Sequence, residues 1–270
     1  MASPAVPARA RWRVPAGVDY ALEVLVPVAL VCWWWVASAE SASAFFPPLS
    51  DVVTRFAGLW LSPLLITDVV PSLVNLAVGY GIAVFVGVTV GMLMGTFRWV
   101  RWLLNPVLQF WRAVPGVALI PVFVALLGFG DSTRVFLIAI AAVFPTLIST
   151  ADGVRAIDPL LKDVARVYWL TPWERTFSVR LPAASPRIAA GMQVSLQVAF
   201  IVMIASEMVG ASHGIGAKTL LAQQSFAITD MWAGILLLGI LGYLVSLLFV
   251  LIRNRVLRWY YAAQKQGDRS

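Results

Sequence analysis

Residues 158–186, DPLLKDVARVYWLTPWERTFSVRLPAASP, are a polar interruption in an otherwise apolar chain, and their reading decides the fold. Asp158 is placed to cap a helix that opens with Pro159, where a missing N–H costs nothing. Thr171-Pro172-Trp173-Glu174 is a capping box with proline at the first helical position, so the hydroxyl and the carboxylate each satisfy an orphan amide. The pattern predicts two short helices meeting at a sharp turn, the second stopped by Leu181-Pro182. Leu160, Leu161, Val164, Ala165 and Tyr168 recur at three- and four-residue spacings, giving the first helix an apolar face beside Lys162, Asp163 and Arg166. Such a face requires a partner.

This insert cannot cross a bilayer. Asp158, Lys162, Asp163, Arg166, Glu174, Arg175 and Arg180 would each cost ~2.5–3.5 kcal/mol at the membrane centre, on the order of 20 kcal/mol together.

Outward from the insert the chain turns greasy. Apolar residues make up 60% of the 270 and charged residues 12%, against about 45–50% and about 25% in soluble domains. The reading is an all-α integral membrane protein. The net charge of +7 alternates with spans too hydrophobic for a nucleic-acid binder. Cys32 is the single cysteine, so neither a disulfide framework nor a cysteine metal site is available within one chain.

Six segments meet the requirement of about 20 mostly apolar residues, near 20–38, 71–95, 107–127, 133–150, 188–209 and 232–252. All of the 20 basic residues except Arg55, Arg134 and Lys218 then fall on one side. Positive charge stays cytoplasmic, so both termini and the insert are expected there. Arg9, Arg11 and Arg13 before an apolar run, with Ala42-Ser43-Ala44 after it, also resemble a cleavable signal peptide. Against that, the run at 20–38 is longer than the usual h-region of about 7–15 residues. The layout divides the chain into an N-terminal arm (1–19), a first span with an external connection (20–66), a five-span core with the insert at 151–187 (67–252) and a basic tail (253–270). A short helix is expected over 51–61, capped by Ser50.

Gly79, Ala83, Gly87, Gly91 and Gly95 recur every four residues in the second span, a ridge of small residues where another helix can approach closely. A pore-lining role for the ridge is the alternative. Pro115, Pro121 and Pro145 each remove a helix hydrogen bond and invite kinks. Asn75, Gln193, Ser195, Gln197 and Glu207 are the candidates for a translocation path, the competing reading being helix-to-helix hydrogen bonds.

Asp163-Val164-Ala165 before a turn, followed by Val179-Arg180-Leu181-Pro182, resembles the EAA loop of bacterial ABC-importer membrane subunits. Asp152-Gly153-Val154-Arg155 leading into Asp158-Pro159, Leu181-Pro182-Ala183-Ala184-Ser185-Pro186, Ser206-Glu207-Met208 with Gly210-Ala211-Ser212, Arg112-Ala113-Val114-Pro115 and Leu119-Ile120-Pro121 are similar to the nitrate, sulfonate and taurine branch. The likeness covers residues 47–260. It implies six transmembrane helices of the type I ABC importer permease fold with a cytoplasmic coupling helix, in a bacterial cell membrane. The implied partners are two cytoplasmic ATPases that bind ATP and Mg, an extracytoplasmic solute-binding protein and a second permease copy; this chain carries no cofactor, metal site or catalytic group of its own.

By that resemblance Leu160, Leu161, Asp163, Val164, Ala165, Tyr168, Trp169, Thr171, Trp173 and Glu174 are assigned to ATPase docking. The solute is expected to be a small anion such as an aliphatic sulfonate, taurine or nitrate. A heterocyclic vitamin precursor on the same machinery, or an ion-coupled carrier, are the alternatives. Two positions depart from the family pattern. Asp163 stands where the family has glutamate. Trp169 stands where it has a turn glycine, so either the turn is built without positive φ or the helix ends differently.

Two signals mislead. Residues 210–219 imitate a phosphate-binding loop, but Ala217 separates the glycine from Lys218-Thr219. They are read as a flexible loop near the outer mouth. His213 is the single histidine, leaving no multi-histidine metal site or serine triad; a solvated loop histidine is expected.

Overall fold

The structure is a computed structural model that describes residues 16–41, 43–260 and 262, with side chains from residue 25 onward. The arginines at 9, 11 and 13, most of the N-terminal arm, Ala42 and most of the basic tail lie outside the described residues. Among the described residues every regular element is helical. The chain forms two compact units, 1–54 and 55–270.

The first unit contains α1 (Ala16–Ser38) and the start of α2 (Leu49–Trp60). Ser50 is not the cap of α2. The Leu49 amide, buried at the helix entry, is instead satisfied by the hydroxyl of Ser38 at 3.0 Å. Ser50 lies one residue too late and donates to Asp51.

The second unit is built on α3 (Val70–Thr96), α6 (Asp131–Arg155) and α9 (Leu181–Met208). In lipid the apolar effect does not drive helices together, so close packing and polar contacts must. The ridge of α3 supplies the packing. A Cβ added at Gly79 would lie 2.7 Å from Ile138, at Gly91 2.6 Å from the Leu147 carbonyl and at Gly95 2.6 Å from Val154, all on α6. Ser195 of α9 supplies the polar part: fully buried, it donates to the Ala142 carbonyl of α6 at 2.6 Å and accepts from the Thr146 amide at 3.0 Å. Leu76, Ala83, Ile138, Ala142, Ala199 and Met203 fill the space between the three helices.

Among the described residues four helical stretches are long and apolar enough to cross a membrane: Leu65–Thr96, Asp131–Arg155, Pro172–Met208 and Ile228–Val256, the last being α11 (Ile228–Val256). The third expected span is not one rod. α4 (Arg98–Ala113) meets Gly116–Leu127, which comprises a tight turn and α5 (Ile120–Leu127), at 89°. Pro115 sits at the break and Pro121 in the first turn of α5, so neither can continue a helix from the preceding turn. The twelve residues after the break extend roughly 18 Å as a helix, short of a ~30 Å hydrocarbon core. Pro145, by contrast, lies inside an unbroken α6. The apolar part of α1 with described side chains, Leu25–Ser38, is shorter than a span.

Candidate functional site

The insert folds as α7 (Pro159–Val167), a turn, and α8 (Pro172–Glu174). The Asp158 carboxylate accepts from the Leu160 amide at 2.8 Å. Both arms of the capping box close: Thr171 N–H donates to Glu174 Oε2 at 2.8 Å and Glu174 N–H to Thr171 Oγ1 at 3.3 Å. Leu181-Pro182 does not stop the second helix. α8 continues through a π turn over Arg175–Arg180 directly into α9. In a regular α-helix the Pro182 ring would meet the carbonyl of Ser178. The wider turn, with Leu181 N–H donating to Thr176 five residues back, relieves that clash.

Trp169 carries the turn at φ 53°, in the left-handed region that glycine usually occupies. The positive φ is therefore kept although the glycine is absent. Trp169 N–H donates to Arg166 (3.0 Å) and Leu170 N–H to Ala165 (3.2 Å), the hydrogen-bond pair of a Schellman motif with Trp169 just past the helix end. The apolar residues of α7 diverge in burial. Ala165 is 4% exposed and braces the turn, whereas Leu160, Leu161, Val164 and Tyr168 are exposed and Trp169 is 88% exposed. Asp163 is exposed and pairs with Arg166 at 3.1 Å. Trp173 leaves this face and packs on Phe177 with ring centroids 4.1 Å apart.

At the opposite end of the bundle lies a buried polar knot that the sequence did not reveal. Three consecutive amides at the start of α10 (Ile215–Gln224) are held by side chains from elsewhere: Gly214 by Asp68 at 2.9 Å, Ile215 by Ser72 at 3.2 Å and Gly216 by Glu207 at 2.9 Å. They replace a missing N-cap side chain. Gly214 sits at φ 118°, and a Cβ there would lie 2.6 Å from the Glu207 carboxyl carbon. Much of 210–219 is therefore an anchored helix rather than a flexible loop. Glu207 is 1% exposed and its second oxygen has no partner. Asp131 accepts from Arg134 at 2.7 Å and from Asn75 at 2.9 Å, with His213 Nε2 at 3.3 Å, so His213 joins a cluster instead of standing free in solvent.

The path candidates do not form one lining. Asn75 and Glu207 are buried at this end and Ser195 is buried between helices. Gln193 accepts from Arg253 at 2.7 Å, and Gln197 is exposed. A separate cavity of about 280 Å³ opens at the bend before α5, beside Trp111, Arg112, Val114, Pro145, Val198 and Val202. Asp68, Ser72 and Arg134 escaped sequence reading because their partners Gly214, Ile215 and His213 lie 79 to 146 residues away; the faint signal was an aspartate inside the apolar run Leu65–Val69.

A bundle of membrane-length helices bearing a stiff, capped and exposed hairpin at one end defines a polytopic membrane subunit. Residues 83–260 match the binding-protein-dependent transport system inner membrane component family, and the chain belongs to it. It is 31% identical over 239 residues to the aliphatic sulfonates transport permease protein SsuC of Bacillus subtilis, covering 87% of this chain and 86% of that one. It is 27% identical to the taurine transport system permease protein TauC of Escherichia coli over 95% of this chain and 96% of that one. With the nitrate import permease protein NrtB of Synechocystis it shares 27% identity over 86% and 87%. The fold matches a chain of the MetNI methionine ABC transporter in an inward-facing conformation, with TM-score 0.59 and 21% identity, over 72% of this chain and 96% of that one.

Proposed function

We propose that this permease is the membrane subunit of an ATP-driven importer for a small anion: an aliphatic sulfonate, taurine or nitrate. It works as a homodimer, receives solute from an extracytoplasmic binding protein and docks two cytoplasmic ATPases, which bind the ATP and Mg. Both termini and the insert face the cytoplasm, in keeping with the one-sided distribution of arginine and lysine. The anion assignment draws on relatives named for sulfonates, taurine and nitrate.

The observation that carries the reading is the exposed apolar face of α7 and its turn on a backbone whose caps are complete. Large apolar side chains held in water on a rigid support mark a protein contact. Co-expression with the cognate ATPase and reconstitution into vesicles tests it. The two chains should copurify and uptake should require internal ATP. Asp163→Lys should reduce ATPase capture at least tenfold while the permease remains a folded membrane protein, because the exposed Asp163–Arg166 pair itself contributes only a few tenths of a kcal/mol. Uptake driven by an ion gradient without ATP would overturn the assignment.

A further inference from the structure

A groove of about 450 Å³ runs between the insert end of α3 and the start of the α8–α9 rod. Its walls are apolar: Met92, Leu93 and Phe97 on one side, Trp173, Phe177 and Leu181 on the other. Arg180 lines it and donates to Thr96 at 3.3 Å. Arg175 stands one π turn before Arg180, and the i→i+5 spacing of that turn brings residues five apart toward one side. Neither arginine forms an ion pair among the described residues. Arg175 Nε is buried with no hydrogen-bond partner. The nearest carboxylate in sequence, Glu174, is committed to Thr171.

We infer that this groove binds an anionic phospholipid, its acyl chain between α3 and the rod and its phosphate on Arg175 and Arg180. An apolar slot alone would accept any chain. The Arg180 guanidinium in its lining, with Arg175 one π turn away and neither in an ion pair among the described residues, selects a phosphate with no compensating cation, since the planar fork of arginine matches phosphate oxygens. Basic pockets between helices at the cytoplasmic leaflet meet such lipids in place. The inference rests on the importer reading only in placing this end at the cytoplasmic face.

The test uses the permease purified with its ATPase in nanodiscs of equimolar phosphatidylglycerol and phosphatidylcholine, followed by detergent extraction and quantification of retained lipid by native mass spectrometry. Phosphatidylglycerol should be retained selectively, and the R175Q/R180Q double variant should lose it about tenfold with the ATPase still bound. Leu93→Trp, which fills the slot without touching either arginine, should displace the lipid as well. Equal retention of phosphatidylcholine, or unchanged retention in the double variant, would overturn the site. So would a hydroxyl-radical footprint showing Phe177 covered by the ATPase. Loss of the ATPase with phosphatidylglycerol still held would overturn the importer reading and support the lipid site.

Discussion

Trp169 poses an energetic conflict on one residue. A non-glycine side chain in the left-handed region costs roughly 1–2 kcal/mol, and this one gains nothing from burial in its own chain, being 88% exposed. Gly at this position would relax the turn. A residue that is strained and unburied inside its own molecule is explained by a contact outside it, and tryptophan is the side chain most often dominant in such contacts. Trp169→Gly is therefore expected to slow hydrogen exchange at the Leu170 amide while weakening ATPase affinity by about 30-fold, or ~2 kcal/mol. Calorimetric titration of the two variants checks it. Equal affinity would place Trp169 outside the interface. The sequence marked this position as a departure, yet could not say which way the backbone would resolve it, because a turn dihedral depends on the Schellman bonds to Arg166 and Ala165.

Among the elements, the ridge of α3 and the caps of the insert were legible in the sequence because both are local: a four-residue period and a three-residue box declare themselves without knowledge of the partner. The continuity of α8 into α9 was not, since proline reads as a stop and the π turn that accommodates it has no composition signal. The bend between α4 and α5 was legible as a kink at Pro115, but its 89° size was not, hydropathy being blind to direction. The α3–α6 contact yields a controlled prediction within one helix. Gly91→Leu puts atoms where the Leu147 carbonyl and Thr150 already stand, 2.6 Å from its Cβ, whereas Gly81→Leu meets nothing within 4 Å. Overpacking costs typically 1–3 kcal/mol. Gly91→Leu should lower the yield of monodisperse protein in fluorescence-detection size-exclusion and the melting temperature of what survives. Gly81→Leu should match the parent. Equal behaviour of the two would refute the α3–α6 packing as the source of the ridge.

Across the whole molecule, one helical rod links the two polar ends. It begins at Pro172 beside the Trp169 turn and runs 37 residues to Met208, about 55 Å at 1.5 Å per residue. Glu207, one residue from its far end, holds the Gly216 amide and so the start of α10. A continuous element rather than a chain of loops therefore joins the hairpin to the opposite face, and we propose that a push on the hairpin travels along it. The π turn is the weak link, because one wide turn replaces regular hydrogen bonding over Arg175–Arg180. Softening it without altering the hairpin separates docking from transmission: Ser178→Gly with Val179→Gly adds about 0.3–0.5 kcal/mol of helix penalty per site and leaves α7, Trp169 and the Thr171–Glu174 box untouched. In vesicles the double variant should bind the ATPase and hydrolyse ATP at parental rates while uptake per ATP falls several-fold. Uptake that keeps pace with hydrolysis would mean that force takes another route, for which the contact of α7 with the π segment offers no far-reaching rod.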